Sequence, residues 1–472
     1  MTLHARLIGL CVFAAVFATN ALAQSAPTSS LSDAASDAEL RNSALEKRVQ
    51  DLERKQLEND VEAYLELVPS FDSAQGADNL TPGSSALRIS GQLRWRGEIR
   101  DHLYSDDSQG AKSFNLVRQR ARLRFDLDVI ENLEVTIEFQ DVRTWGEAQK
   151  TVGNIQGVDI KRAFAQFNNL GGKPIDLQVG RQVLFYGDQR LVGHLEWVDQ
   201  GRTYDGIRLK AHPEKYFIDA WAVNIRETGA VNDDRYFYGI YGGPKFLDLY
   251  ILGTQDLKSG TGETGASGNT FYATAGFRFH GKKGGFDYKV EVPFQFGTLN
   301  GDDLTAWAAA VTLGYTWENA RWQPRLYFEF DYASGDKDPT DGDVEQFQTV
   351  YPTNHLYYGN ADQVGWENIM SFRVGVAVKP TSKWGIRLDY FHFIRPEEGG
   401  NWVQATGATI RPGALGASSH LGDEFDLIIT WKPSKPVKLD FGWTVFFPGG
   451  FIEETGASPT ATFVWLQGRV IF

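Results

Sequence analysis

From Leu87 to Phe472 the residues alternate with period two, and this constrains the fold more than any other feature. In the first such stretch Leu87, Ile89, Leu93, Trp95 and Ile99 share one parity, while Arg88, Ser90, Gln92, Arg94, Arg96, Glu98 and Arg100 share the other. Successive side chains of a β-strand point to opposite faces, so the stretch predicts a strand with one apolar and one charged face. The next strand sets Val117, Ala121, Leu123, Phe125, Leu127 and Val129 against Arg118, Arg120, Arg122, Arg124, Asp126 and Asp128. The same alternation recurs at Phe286–Val292, Arg325–Asp331, Ile386–Tyr390 and Lys438–Val445. With 49 Gly, 31 Phe, 13 Trp and 2 Met, the pattern fits a wall in which every second residue meets lipid.

The connections alternate in length. Short turns are expected near Ile130–Asn132, Asn169–Lys173, Ala211–Lys215, Gly242–Lys245, His280–Gly285, Trp317–Arg321, Pro380–Lys383 and Lys432–Pro436. Longer loops separate them, the largest around 333–368 and 395–421. Short turns on the periplasmic side and long loops outside are the arrangement of outer-membrane barrels, and counting between connections gives about eighteen strands. The expected fold is an all-β, antiparallel, up-and-down transmembrane barrel over 87–472. The terminal run Leu466 to Phe472 reads as an amphipathic last strand whose Phe472 would be recognised by the barrel-assembly machinery.

Upstream, Arg6, the apolar run Leu7–Val16 and Ala21-Leu22-Ala23 read as a signal peptide over 1–23. Residues 24–67 read as a periplasmic helical or coiled-coil segment. Its seam runs through Leu31, Ala35, Ala38, Asn42, Leu45, Val49, Leu52, Gln56 and Asn59, so 31–59 would join copies of the chain. A single solvated helix is the other reading. Residues 68–86, rich in Pro, Gly, Ser and Asp, read as a linker.

Composition narrows the chemistry. The only cysteine, Cys11, lies in the signal segment, which leaves no disulfide framework for the remainder. A net charge of −13 argues against a nucleic-acid partner. No HExxH or GxSxG motif occurs, and the 8 histidines show no metal-ligand spacing, so neither an enzyme nor a cofactor is expected. Asp336, Asp338, Asp341 and Asp343 resemble a calcium loop, but Phe347 sits where the bidentate Glu belongs. A solvated outer loop is the plainer reading.

The sharpest signal is a double arginine ladder. Arg118, Arg120, Arg122 and Arg124 share one face, as do Arg88, Arg94, Arg96 and Arg100 on the preceding strand. Arginine facing mid-membrane lipid costs a few kcal/mol each, so this face must be the lumen. The ladders could form a rail that draws in carboxylates or phosphates. They could instead be neutralised by Glu98, Asp126, Asp128, Glu134 and Glu138.

The blocks Gly180-Arg181-Gln182, Tyr186 to Gly193, Trp197 and Gly201 to Arg208 resemble the signature of the alginate export family of outer-membrane proteins. So do Ala333 to Asp336, Phe347, Tyr351 to His355 and Tyr357 to Gly359. The resemblance implies an eighteen-stranded barrel with an electropositive constriction for a polyuronate. By it, Arg181, Asp188, Arg190, Arg202, Asp205 and Arg208 become pore-lining candidates, and the loop from Phe185 to Arg202 is expected to fold into the pore. The alternatives are a general or phosphate-type anion porin, possibly trimeric, a barrel-wall lipase, and a barrel plugged by its own loops.

Overall fold

The computed structural model describes residues 86–104, 112–147, 157–213, 215–227 and 233–472. The expected signal peptide, coiled coil and all but the last residue of the linker lie outside the described residues. The wall is a closed barrel of 18 antiparallel strands. Its first half comprises β1 (Ala86–Leu103), β2 (Lys112–Ile130), β3 (Leu133–Thr144), β4 (Asp159–Phe167), β5 (Ile175–Gln182), β6 (Tyr204–Ala211), β7 (Tyr216–Arg226), β8 (Arg235–Pro244) and β9 (Leu247–Thr261). The second half comprises β10 (Ser267–Lys283), β11 (Phe286–Leu299), β12 (Asp302–Thr316), β13 (Arg325–Ala333), β15 (Ile369–Thr381), β16 (Trp384–Ile394), β19 (His420–Ser434), β20 (Val437–Pro448) and β21 (Ala461–Ile471). The short strands β14 (Asp343–Val344), β17 (Trp402–Val403) and β18 (Thr409–Arg411) lie in connections. All eight short turns expected from the sequence join wall strands.

β1 pairs with both β2 and β21, which closes the ring. At this seam the Gly91 amide donates to the Phe472 carbonyl at 2.7 Å, and the Phe472 amide donates to the Gly91 carbonyl at 3.0 Å. Closure matters because hydrocarbon offers no partner for an unpaired strand edge. Among the described residues no helix is long and apolar enough to cross a membrane. The apolar surface belongs to the strands instead: Leu87, Ile89, Ile99, Ile251, Phe271, Phe294 and Leu388 are exposed on the outward face. Their neighbours of opposite parity, among them Arg94, Arg96, Arg120, Arg122, Glu291 and Asp389, are buried in the interior.

Two connections and part of a third fill that interior: 183–203 between β5 and β6, 334–368 between β13 and β15, and, between β16 and β19, the start of 395–419 around Trp402 and Val403. The rest of 395–419 holds no buried residue and leaves Leu415 exposed, as expected of an outer loop. The sequence reading placed only the first in the pore and left the other two outside. The correction has a physical reason. Phe347, Tyr358, Trp366 and Trp402 are fully buried, and a loop with this aromatic content leaves water by folding onto its own barrel. Trp402 Nε1 donates to the Gln363 carbonyl at 2.8 Å, and Asn354 Nδ2 donates to the Ala405 carbonyl at 2.8 Å, so the two connections are also tied together. Only 337–341 and Asp343 of the acidic stretch stay exposed.

Ile251 stands opposite Ala275, between the flanking Phe271 and Phe279 of β10, and so lies within the apolar band. Ile251→Arg is expected to destabilise the barrel by about 2–4 kcal/mol, the cost of arginine near the bilayer midplane. Denaturant titration of the protein folded into phospholipid vesicles measures this.

Candidate functional site

The geometry begins at the seam. Arg94 pairs directly with Arg120 and Arg96 with Arg118 across β1 and β2, and all four point inward. Like charges directly opposite in a ladder repel. Glu98 of β1 takes Arg96 at 2.6 Å and Arg100 at 2.8 Å but offsets only part of this charge, so the face draws further anions from elsewhere. The 183–203 connection delivers two. Glu196 takes Arg122 at 2.7 Å and Arg120 at 2.9 Å. Asp199 takes Arg94, and Arg118 at 3.3 Å.

Two carboxylates do not satisfy five arginines. Within the wall Glu98 takes Arg96, Gln92 takes Arg120 at 2.6 Å and Gln140 takes Arg122 at 2.7 Å, and backbone carbonyls of the connection accept further donors. Arg94 donates to the Glu196 carbonyl at 2.7 Å, Arg96 to that of Trp197 at 2.7 Å, and Arg122 to that of Gln200 at 3.1 Å. The Arg96 guanidinium also lies 3.9 Å from the centre of the Trp197 ring. From β4, Lys161 Nζ donates to the carbonyls of Gln200 at 2.9 Å and Arg202 at 3.2 Å. Gly201 has φ +63°, and a Cβ there would lie 2.5 Å from Lys161 Nζ, so only glycine lets the backbone approach this closely.

The other end of the same connection is fixed to β10, β11 and β13. Asp188 accepts from Arg278 at 2.7 Å and Lys289 at 3.0 Å. Arg190 pairs with Glu329 at 3.0 Å and Asp331 at 3.1 Å, and its guanidinium lies 3.7 Å from the Tyr357 ring centre. In a closed ring of 18 strands β1 and β10 are diametrically opposite, so the connection crosses the lumen. Burial works to raise the Asp188 carboxyl, but Arg278 and Lys289 outweigh it and hold it well below the usual range. Glu196 is likewise buried, and Arg122, Arg120 and Lys161 hold it far down.

The 334–368 connection backs this crossing segment. Val192 and Tyr351 form a parallel bridge, and the Gly193 amide donates to the Tyr351 carbonyl at 2.7 Å. Arg202 Nη1 donates to the carbonyls of Gly193 and Pro352, both at 2.9 Å. The Trp197 ring stacks on His355 with centroids 3.8 Å apart.

The sequence-derived candidates therefore separate into groups. Arg94, Arg96, Arg118, Arg120 and Arg122 grip the crossing segment. Arg88 pairs with Asp128 at 2.6 Å and Arg124 with Asp126 at 2.7 Å along the wall, without reaching it. Asp188 and Arg190 brace its far end, and Arg202 ties it to the second connection. Arg208 faces inward and pairs with Asp219. Arg181 and Asp205 do not line the lumen. They pair with each other at 2.8 Å and share the outward parity of the exposed Val179 and Ile207. Asp336, Asp338, Asp341 and Asp343 do not converge as a ligand set. Among the described residues the only three-ligand grouping is His392, His420 and Asp423, which corrects the expectation that no histidines stand together. Sequence reasoning also missed Glu196 and Lys161. Glu196 sits one residue before Trp197 in the family-like block, which was the available signal.

The sequence model of a family described as Alginate export matches residues 85–466. A comparison with curated proteins finds no match. Similar solved structures include Pseudomonas aeruginosa OccK5 (OpdH), 9% identical with a TM-score of 0.55, over 82% of this chain and 98% of that one. Acinetobacter baumannii OccAB1 is 12% identical with a TM-score of 0.53, over 82% and 96%. Pseudomonas aeruginosa OpdK, an outer membrane protein, is 10% identical with a TM-score of 0.51, over 82% and 99%. OpdK is also known with vanillate, at 10% identity and a TM-score of 0.50, over 81% and 99%. At these identities the likeness is one of fold.

Two outcomes follow from the geometry. Glu196→Ala strips a carboxylate from buried Arg120 and Arg122 and is expected to cost about 3–5 kcal/mol of loop docking. The exposed pair lost in Asp205→Ala is worth about 0–1 kcal/mol. Limited proteolysis within 183–203 should separate the two variants. The second outcome concerns His194, whose Nδ1 is shielded and without a hydrogen-bond partner. Burial pushes His194 down to about 4 from an ordinary 6.5, so the undocked loop binds a proton that the docked loop refuses. Its stabilisation is complete above pH 6.5 and falls away toward pH 4. Glu367 acts oppositely, since burial raises it to about 7 and its contribution is lost as pH rises. The difference between wild type and His194→Asn in hydrogen exchange of 183–203, followed across this range, isolates the histidine.

Proposed function

The chain belongs to the alginate export family of outer-membrane β-barrel channels, and on that footing we propose that it passes an anionic saccharide or its polymer, polyuronate-like in charge. One observation carries the reading. On the basic wall, five guanidiniums and Lys161 face two loop carboxylates, Glu196 and Asp199, and one wall carboxylate, Glu98, and the remaining donors go to amide and backbone carbonyl oxygens. Arginine binds carboxylates in bidentate fashion and stays charged at any physiological pH. The carboxylates of a polyuronate can therefore take the places of Glu196 and Asp199, one exchange after another, as the chain advances and the segment moves aside. The rail and the loop that covers it are two states of one set of arginines.

A second reading, a porin for small anions, draws support from the fold likeness to OpdK, known with vanillate, which is itself a carboxylate. Cargo size separates the two. Added to one side of a planar bilayer, oligouronates of increasing length should block ion current with increasing residence time if the cargo is polymeric. Block by monocarboxylates alone supports the porin.

Under a KCl gradient the reversal potential is expected to show anion preference, weakened by higher salt. Removal of Gly187 to Val198 should raise single-channel conductance severalfold and relax that preference. A cation-selective channel overturns the arginine-rail reading. Unchanged conductance in an assembled deletion variant removes the crossing segment from the pathway.

A further inference from the structure

We propose that His392, His420 and Asp423 form a binding site for one divalent d-block ion of the Zn2+ class on the outward face of the wall. The residues lie far apart in sequence and are assembled by strand register. His392 stands directly opposite Asp423 in the β16–β19 ladder. His420 opens β19, at the end where the 395–419 connection leaves the wall. His392 Nδ1 lies 2.8 Å from Asp423 Oδ1, and His420 Nε2 lies 3.0 Å from Asp423 Oδ2.

Two imidazole nitrogens thus converge on the two oxygens of one carboxylate, and all three ligand atoms lie within 4.8 Å of one another. Zn2+ binds such ligands at about 2.0–2.2 Å, so ligand atoms around it sit roughly 3–3.5 Å apart. Small rotations of these side chains would admit the ion. The imidazole rings are already near-parallel, with centroids 4.9 Å apart at 27°. Tyr390 donates its hydroxyl to Asp423 Oδ1 at 2.6 Å, the kind of supporting hydrogen bond that orients a carboxylate ligand.

The donor set selects the metal. Two imidazoles with one carboxylate suit Zn2+, Cu2+ or Ni2+, whereas Mg2+ and Ca2+ prefer all-oxygen shells. Three protein ligands leave a coordination position for solvent. The location gives the site a task. The β16–β19 register slips between Phe393 and Ile394, where the wall gives way to the long connection. His392 lies on one side of that slip, and His420, opposite Ile394, lies on the other. A bound ion would clamp the two strands there, beside the exposed Phe425 and Phe447.

The test uses the full chain in detergent micelles, purified without a histidine tag. Zn2+ titration calorimetry should find one equivalent that neither Mg2+ nor Ca2+ displaces. The His392→Ala/His420→Ala variant should weaken binding by more than the roughly 10–100-fold that loss of a supporting hydrogen bond costs. Heat-modifiable gel migration checks that this variant is assembled. With Cu2+ as probe, electron paramagnetic resonance of the wild type should show coupling to two nitrogens, a readout that needs no variant. No Zn2+ binding by the wild type, equal binding by the assembled double variant, or an oxygen-only Cu2+ spectrum overturns the proposal.

Discussion

Arg94 faces Arg120 across one ladder and Arg469 across the other, at the seam where the barrel closes. Period two fixes all three on the inward face. Turning them outward would put guanidinium groups in lipid. Glu98 of β1 takes Arg96 and Arg100, and Glu196 and Asp199 of the 183–203 segment supply the further anions at Arg94, Arg118, Arg120 and Arg122.

The charges on the crossing segment are sorted to match the wall. Its acids Glu196 and Asp199 meet the arginines of β1 and β2, and its Arg190 meets Glu329 and Asp331 on β13. On β19, Glu424 and Asp426 accept the amides of Ala361 at 3.0 Å and Asn360 at 3.1 Å, so the second connection is also held by wall carboxylates. Attachment of this kind is exchangeable. An apolar plug leaves only by exposing its surface to water, whereas an ionic clasp opens when a competing ion of the same sign offers the same bonds.

The wall was legible from the sequence because the lipid boundary imposes a strict period-two code, and the turns were legible because that code breaks there. The inward direction of Arg94, Arg96, Arg120 and Arg122 followed from parity alone. What was not legible depends on contacts distant in sequence. Arg181 and Asp205 sit in a motif that reads as functional, yet strand parity turns them outward with Val179 and Ile207. The inward course of 334–368 was hidden because loops carry no periodicity; only its aromatic content hinted at burial. His392 and His420 meet through β16–β19 register across a long intervening connection, which no local spacing rule detects.

The two inward connections behave as one body. Val192 bridges Tyr351, Arg202 holds the carbonyls of Gly193 and Pro352, and Tyr357 donates its hydroxyl to the Asp188 carbonyl. Moving 183–203 off the arginines breaks its ionic contacts to β1 and β2, but it need not break these bonds if 334–368 moves with it. The Ala361–Glu424 and Asn360–Asp426 bonds then oppose the motion from β19. Both connections meet the wall through carboxylate contacts alongside others, such as Arg96 to the Trp197 carbonyl and Gln295 to the Gln348 carbonyl. A polyanion competes for the carboxylate contacts at the arginines. On the proposed function, a polyanion that takes the arginines would release 183–203 from the basic wall together with the part of 334–368 bonded to it.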